Sequence, residues 1–190
     1  RSSSRQHVAK ITAVARRMRD AALTDFLTGI PNRRCILDFL NTAWATSDRS
    51  GSALSCLLID IDHFKRINDV YGHDVGDIVL QRATLTLREV LRSGDSIGRL
   101  GGEEFLVVAP LTDREAAMQL GERLRTAMAN HDFSDLGLAS PITISIGIAT
   151  RSPGTPTPYA LVTRADTGLL ASKRNGRNQC RMAQQPAGSP

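Results

Sequence analysis

The stretch RLGGEEFLVV, residues 99–108, places two glycines before two glutamates and flanks them with apolar residues. A glycine pair suits a tight hairpin with positive φ. Such a turn requires glycine, but it does not require Glu103 and Glu104 side by side. Like charges there are either solvated or held against something positive. A second acidic group stands in LLIDIDHFKRIND, where Asp60 and Asp62 leave an apolar run at alternate positions and so face one side of a strand end. Carboxylates emerging from an apolar strand are costly unless paired. Mg²⁺ accepts one or two carboxylates plus substrate phosphates. If the strand ending at Asp60 neighbours the hairpin, Asp60 and Glu103 converge on such an ion, with Glu104 beside them. The competing reading is a strand end followed by a solvated helix start, since acidic residues favour helix N-termini. An EF-hand is excluded, because Phe64 falls where a ligand is required and no glycine follows at the sixth place.

Other polar groups fit a nucleotide. No GxxxxGK[ST] is present, so a nucleotide would bind without a P-loop. Its phosphates would rest on backbone N–H groups at the helix start after Asp62. YGHDVGD sets His73, Asp74 and Asp77 in a glycine-punctuated turn. Turn chemistry and an N-cap explain Asp74. Asn68 and Asp77 can pair with the donor-rich edge of guanine. KRNGR places Lys173 and Arg177 four residues apart. They are either ordinary basic residues at a helix C-terminus or a cationic clamp on a γ-phosphate.

The elements that must position these groups are legible in outline. From His7 to Leu23, Val8, Ile11, Ala15, Met18 and Ala22 recur at helical intervals. That helix is either an N-terminal cap or a connector pairing with its copy in a dimer. Asn32 caps a helix expected to run to about Ala45, and ALSCLLIDI is a buried strand. Helices are expected over Phe64–Val70, Val75–Leu91, Asp113–Asn130 and Tyr159–Asn175. IGRL and FLVVAP form the hairpin, ITISIGIAT is a strand, and NQCRM is a candidate last edge strand. The expected fold is α+β, a mostly antiparallel sheet with helices on its faces. The expected organisation is a helix or linker over 1–23, one domain over 24–182, and a disordered tail over 183–190.

Composition narrows the partners. The net charge of +5 fits a polyanion, but an aromatic fraction of 4% argues against stacking platforms for single strands. The plainer reading is a modestly basic soluble domain, and a nucleoside triphosphate substrate would also fit; no nucleic acid partner is expected. Cys35, Cys56 and Cys180 are far apart and form no CxxC, so neither a disulfide framework nor a zinc site is expected. That pattern suggests a reducing, cytoplasmic setting. The longest apolar stretch is too short to span a bilayer, and no signal peptide is visible. The chain starts without methionine, so a longer parent with an upstream sensory or membrane domain is expected, this part lying in the cytoplasm.

Taken together these pieces resemble the GGDEF-domain family, the diguanylate cyclases of bacterial signalling. The resemblance runs from TDFLTGIPNRR to GRN, about residues 24–178, with the signature present as GGEEF. DIDHFKRIND, YGHDVGD, SIGIA and SKRNGRN follow the family's order and spacing. The resemblance implies a nucleotidyl-cyclase and polymerase-palm type sandwich. It implies condensation of two GTP into cyclic di-GMP with release of two pyrophosphates, in a homodimer whose protomers each hold one GTP. By motif position, Asp60, the Ile61 carbonyl and Glu103 match ligands of Mg²⁺ or Mn²⁺, with Glu104 a further candidate. Glu103 also matches the base for the ribose 3′-hydroxyl. Asn68, His73 and Asp77 match guanine and substrate contacts. Phe64, Lys65, Lys173 and Arg177 match phosphate-side positions. Arg92 and Asp95, in RSGD five residues before GGEEF, match the family's RxxD inhibitory site for cyclic di-GMP. A charged turn is the other reading there. The family usually has an aromatic at Leu170 and alanines at Gly168 and Ser172, positions that read as helix packing. The alternative function is a non-catalytic module that binds cyclic di-GMP or GTP. A degenerate signature would favour it, and GGEEF does not show one.

Overall fold

The computed structural model describes residues 23–184. The helix expected over His7–Leu23 lies outside them except for Leu23. Asn32 opens α1 (Arg33–Ser50), its side chain accepting from the Cys35 N–H at 3.0 Å and so satisfying one orphan donor of the helix start. The helix passes the expected stop near Ala45. SDRS is polar without being helix-breaking: Ser50 donates back to the Thr46 carbonyl, and Arg151 ties down Ser47 and Asp48. Gly51, at φ 68°, ends it.

β1 (Leu54–Ile61) is buried along its whole length. α2 (Phe64–Tyr71) and α3 (His73–Val90) share Gly72 at φ 90°, a conformation open chiefly to glycine. The later helix therefore starts at His73 rather than Val75. β2 (Ser96–Gly101) and β3 (Glu104–Pro110) form the hairpin. α4 (Arg114–Asn130), β4 (Ile144–Thr150), α5 (Pro158–Arg174) and β5 (Cys180–Met182) complete the chain.

The sheet is ordered β2-β3-β1-β4-β5, antiparallel except for the parallel β4–β5 pair. The architecture is the α+β sandwich expected. One face buries Leu57, Ile59, Phe105, Val107 and Ile146 beneath α2, α3 and α4. The other buries Cys56, Leu58, Leu106 and Val108 beneath α1 and α5. Alternation along β1 therefore turns Asp60 toward the α1 and α5 side. The ladder continues past β5: the Ala183 N–H donates to the Ile148 carbonyl at 2.7 Å. Ala183 is buried, although it belongs to the segment expected to be disordered; residues 185–190 lie outside the described residues.

α5 is pressed against the sheet. A Cβ at Gly168 would stand 2.6 Å from the Arg181 carbonyl, so the alanine usual in the family would not fit here without movement. The Ser172 hydroxyl shares its proton between the carbonyls of Ile146 and Gln179, at 3.0 and 2.7 Å. Leu170 faces solvent. Gly168 and Ser172 are thus matters of helix packing, as expected, whereas Leu170 is not. No helix among the described residues is long and apolar enough to cross a membrane. The three cysteines are free, and burial pushes the Cys56 thiol up to about 12, which keeps it neutral.

Candidate active site

β1 lies between β3 and β4, so its C-terminal end meets the glutamate hairpin. Asp60 stands across from Glu104, and the Ile61 N–H donates to the Glu103 carbonyl at 3.3 Å. Lys173, in the last turn of α5, reaches the same point: its Nζ lies 2.8 Å from Asp60 Oδ2, with the carboxylate only 8% exposed. Arg177 adds its charge to this field.

The acidic groups at this end lack full compensation. Burial pushes the Asp60 carboxyl up, the Lys173 ammonium pulls it back, and the balance remains above the ordinary value. Glu103 is raised by burial first and by the neighbouring Asp60 charge second. Two adjacent carboxyls displaced upward by burial are short of positive charge, and a divalent cation would supply it. The donors are all oxygen, which suits Mg²⁺ or Mn²⁺ rather than a thiolate-seeking metal. Among the described residues no three His, Cys, Asp or Glu side chains form a ready-made metal centre. A cation here would thus rest on two carboxylates and complete its shell with a backbone carbonyl and phosphate oxygens.

Asp62 has a different occupation. Its carboxylate accepts from Thr143 Oγ1 at 2.7 Å, Ser145 Oγ at 2.6 Å and the Asn178 N–H at 3.0 Å. It faces the same side as Asp60, but its lone pairs hold the 178 loop to the sheet. The Phe64 ring is buried in the core, so any phosphate contact there would fall to its backbone N–H in the first turn of α2. Lys65, His73 and Asp77 are exposed, and Asn68 is half-buried. Asn68 Oδ1 lies where a Cβ on Gly76 would come within 1.9 Å of it, which sets the amide close to Asp77 in the chain. Glycine at 76 makes room for that amide.

Arg92 and Asp95 lie apart from the carboxylates, where α3 passes into β2. Arg92 Nε donates to Asp95 Oδ1 at 3.1 Å, and Nη2 to Thr112 Oγ1 at 2.7 Å. The arginine side chain is 57% exposed while the aspartate is almost covered. They border a cavity of about 310 Å³ whose wall includes Gly29, Pro31 and Arg88. Arg88, one helical turn before Arg92, had only that spacing to mark it. Arg99 and Asp25 also went unmarked in the sequence: they form an ion pair at 3.0 Å behind the hairpin.

A family profile described as "Diguanylate cyclase, GGDEF domain" matches residues 22–179. This chain belongs to the GGDEF-domain family. The GGDEF domain here is 46% identical over 165 residues to the diguanylate cyclase DgcP of Pseudomonas aeruginosa, covering 87% of this chain and 24% of that protein. It is 40% identical over 161 residues to the response regulator PleD of Caulobacter vibrioides, covering 84% of this chain and 36% of that protein. The chain thus spans a minor part of these curated relatives. Among solved structures, the coiled coil and GGDEF domain of DgcB from Caulobacter crescentus, in complex with c-di-GMP, superposes with a TM-score of 0.87 at 31% identity over 96% of both chains.

Proposed function

We propose that this chain is a diguanylate cyclase module that condenses two GTP into cyclic di-GMP and releases two pyrophosphates. The observation carrying this reading is the buried Asp60, paired with Lys173 and facing the two-glutamate hairpin. The relatives' names and the filled GGEEF signature support it. Asp60, Glu103 and the Ile61 carbonyl would hold Mg²⁺ or Mn²⁺, which when bound polarises the α-phosphate and eases deprotonation of the attacking hydroxyl. Glu103 takes the proton of the ribose 3′-hydroxyl as general base. Lys173, Arg177 and Lys65 hold phosphate oxygens, with the Phe64 N–H beneath them. Asn68 and Asp77 read the guanine edge, and His73 flanks the substrate. One protomer presents one GTP, while each new bond joins the hydroxyl of one GTP to the phosphate of another. A homodimer of half-sites meets that need. A cytoplasmic setting, with a sensory domain ahead of this chain, completes the proposal.

The test is incubation of the chain with Mg²⁺ and either GTP or ATP across a dilution series, with chromatographic separation of products. Cyclic di-GMP from GTP is expected, with specific activity rising with concentration. Equal turnover of both nucleotides, or GTP binding without turnover, would replace the cyclase reading. Product is proposed to bind in the Arg92–Asp95 cavity, where a guanidinium suits the guanine Hoogsteen edge and a carboxylate takes its N–H donors. Charge-assisted bonds of this kind are worth about 1.5–3 kcal/mol. Arg92→Ala should therefore weaken cyclic di-GMP affinity by roughly 10- to 100-fold in a calorimetric titration. Unchanged affinity would leave RSGD a charged turn.

A further inference from the structure

The tip that carries Glu103 is poorly held by its own backbone. The β2–β3 register breaks between Arg99 and Gly101. Gly101 and Gly102 then follow at φ 151° and 52°, a region in which glycine has great freedom. A single side chain spans the gap. Arg99 donates to the Gly102 carbonyl twice, from Nε at 2.9 Å and from Nη2 at 2.8 Å. Its third nitrogen, Nη1, donates to both oxygens of Asp25, at 3.0 and 3.2 Å. The Arg99 N–H adds a bond to the Pro31 carbonyl at 2.9 Å.

Asp25 is itself fixed. It accepts from the Thr28 N–H at 3.0 Å and the Thr28 hydroxyl at 2.7 Å. Its backbone closes the 25–30 turn through the Gly29 N–H and the Ile30 carbonyl, each at 2.8 Å. Arginine and aspartate side chains are 13% and 17% exposed, so water competes little for them. Burial works against the Asp25 charge, and the bonds from Thr28 and Arg99 more than offset it, leaving its carboxyl below the usual range.

The geometry around Glu103 gives this clamp a purpose. The Gly102 carbonyl belongs to the peptide before the Glu103 Cα, and Arg99 holds it. The Glu103 carbonyl belongs to the peptide after it, and the Ile61 N–H holds that one at 3.3 Å. Both peptides flanking the Glu103 Cα are thus tied, from opposite sides, which sets the direction of its Cα–Cβ bond.

We propose that Arg99 is a positioning residue for Glu103, pinning the glutamate turn through the Gly102 carbonyl and bracing it on Asp25. The proposal rests on the cyclase reading for its effect on rate, but not for its effect on the turn. Lysine cannot replace it, because a point charge cannot chelate one carbonyl and grip a carboxylate together.

The test uses the full chain with Arg99→Gln, Arg99→Lys and the milder Asp25→Asn. Initial rates of cyclic di-GMP formation give kcat and KM. Hydrogen exchange of peptides covering 100–105, without nucleotide, gives turn mobility directly. Misplacing a catalytic group by about 1 Å costs on the order of 10²-fold. Both Arg99 variants should lower kcat by about 10- to 100-fold with little change in KM, and Asp25→Asn should fall between them and the parent. Exchange should quicken at 100–105 and stay unchanged in the buried β1. Unchanged kcat, or equal rises in exchange throughout the chain, would overturn the proposal. If the parent chain makes no cyclic di-GMP, the cyclase reading fails, and the exchange result alone decides the positioning role.

Discussion

Glu103→Gln is expected to reduce cyclic di-GMP formation by roughly 10²–10⁴ through loss of the base alone, and further through loss of a cation ligand. The fold should survive. Glu103 sits in a half-buried turn, and its carboxylate raises electrostatic cost beside Asp60 rather than relieving it. Glutamine keeps the shape while removing the charge and the proton affinity. Initial rates by chromatography and thermal melts by circular dichroism would separate the two effects. Near-normal turnover would take Glu103 out of the chemistry. A large fall in melting temperature would assign it a structural duty instead.

Gly147→Ala is expected to be the most damaging small change to the fold. A Cβ there would come within 2.0 Å of the Ala165 carbonyl oxygen and 2.1 Å of the Leu169 nitrogen. Both atoms are helix backbone, so no rotamer change relieves the clash and α5 must move off β4. Overpacking typically costs about 1–3 kcal/mol when side chains can yield; here the upper end or beyond is expected. At about 2–4 °C per kcal/mol for a chain of this size, Tm should fall by about 6–12 °C. Activity should fall faster than stability, since α5 carries Lys173 to Asp60. Gly94→Ala is the control. Open space surrounds Gly94 and its backbone is ordinary, so its Tm should stay within a degree or two, at about 0.5 kcal/mol for a surface change. Equal melting temperatures for the two variants would contradict the close packing of α5.

The parts of this site visible in the sequence are those written locally. GGEEF, DIDHFKRIND and KRNGR each carry their spacing within one segment, and the alternation of ITISIGIAT names a strand. Long-range partners leave no such mark. Arg99 and Asp25 are 74 residues apart, so RLGG read as a hairpin edge and TDFLTG as a turn. The carboxylate of Asp62 could be placed on the side of Asp60, yet its use depends on Thr143, Ser145 and Asn178, which no local pattern connects to it. SDRS has the composition of a loop, so local composition places the end of α1 too early. Ser50 instead bonds back onto the helix, Ser47 donates forward to the Ser52 carbonyl, and Gly51 decides the stop. The parallel sense of β5 likewise follows from where α5 delivers the chain, not from CRM itself.

The Asp62 carboxylate also bears on when the site comes into being. Its three donors lie 81, 83 and 116 residues further along the chain. Contacts of such separation require large loops to close and form late in folding. The polar end of β1 is enclosed by β3 and β4, both far along the chain, and by the 178 loop, farther still. A chain still emerging from the ribosome would hold Asp60 and the glutamate hairpin without Lys173 or the loop that follows it. The polar end of β1 is therefore complete only when synthesis has passed Asn178, and an unfinished product lacks both the Lys173 partner of Asp60 and the Asn178 N–H that Asp62 accepts.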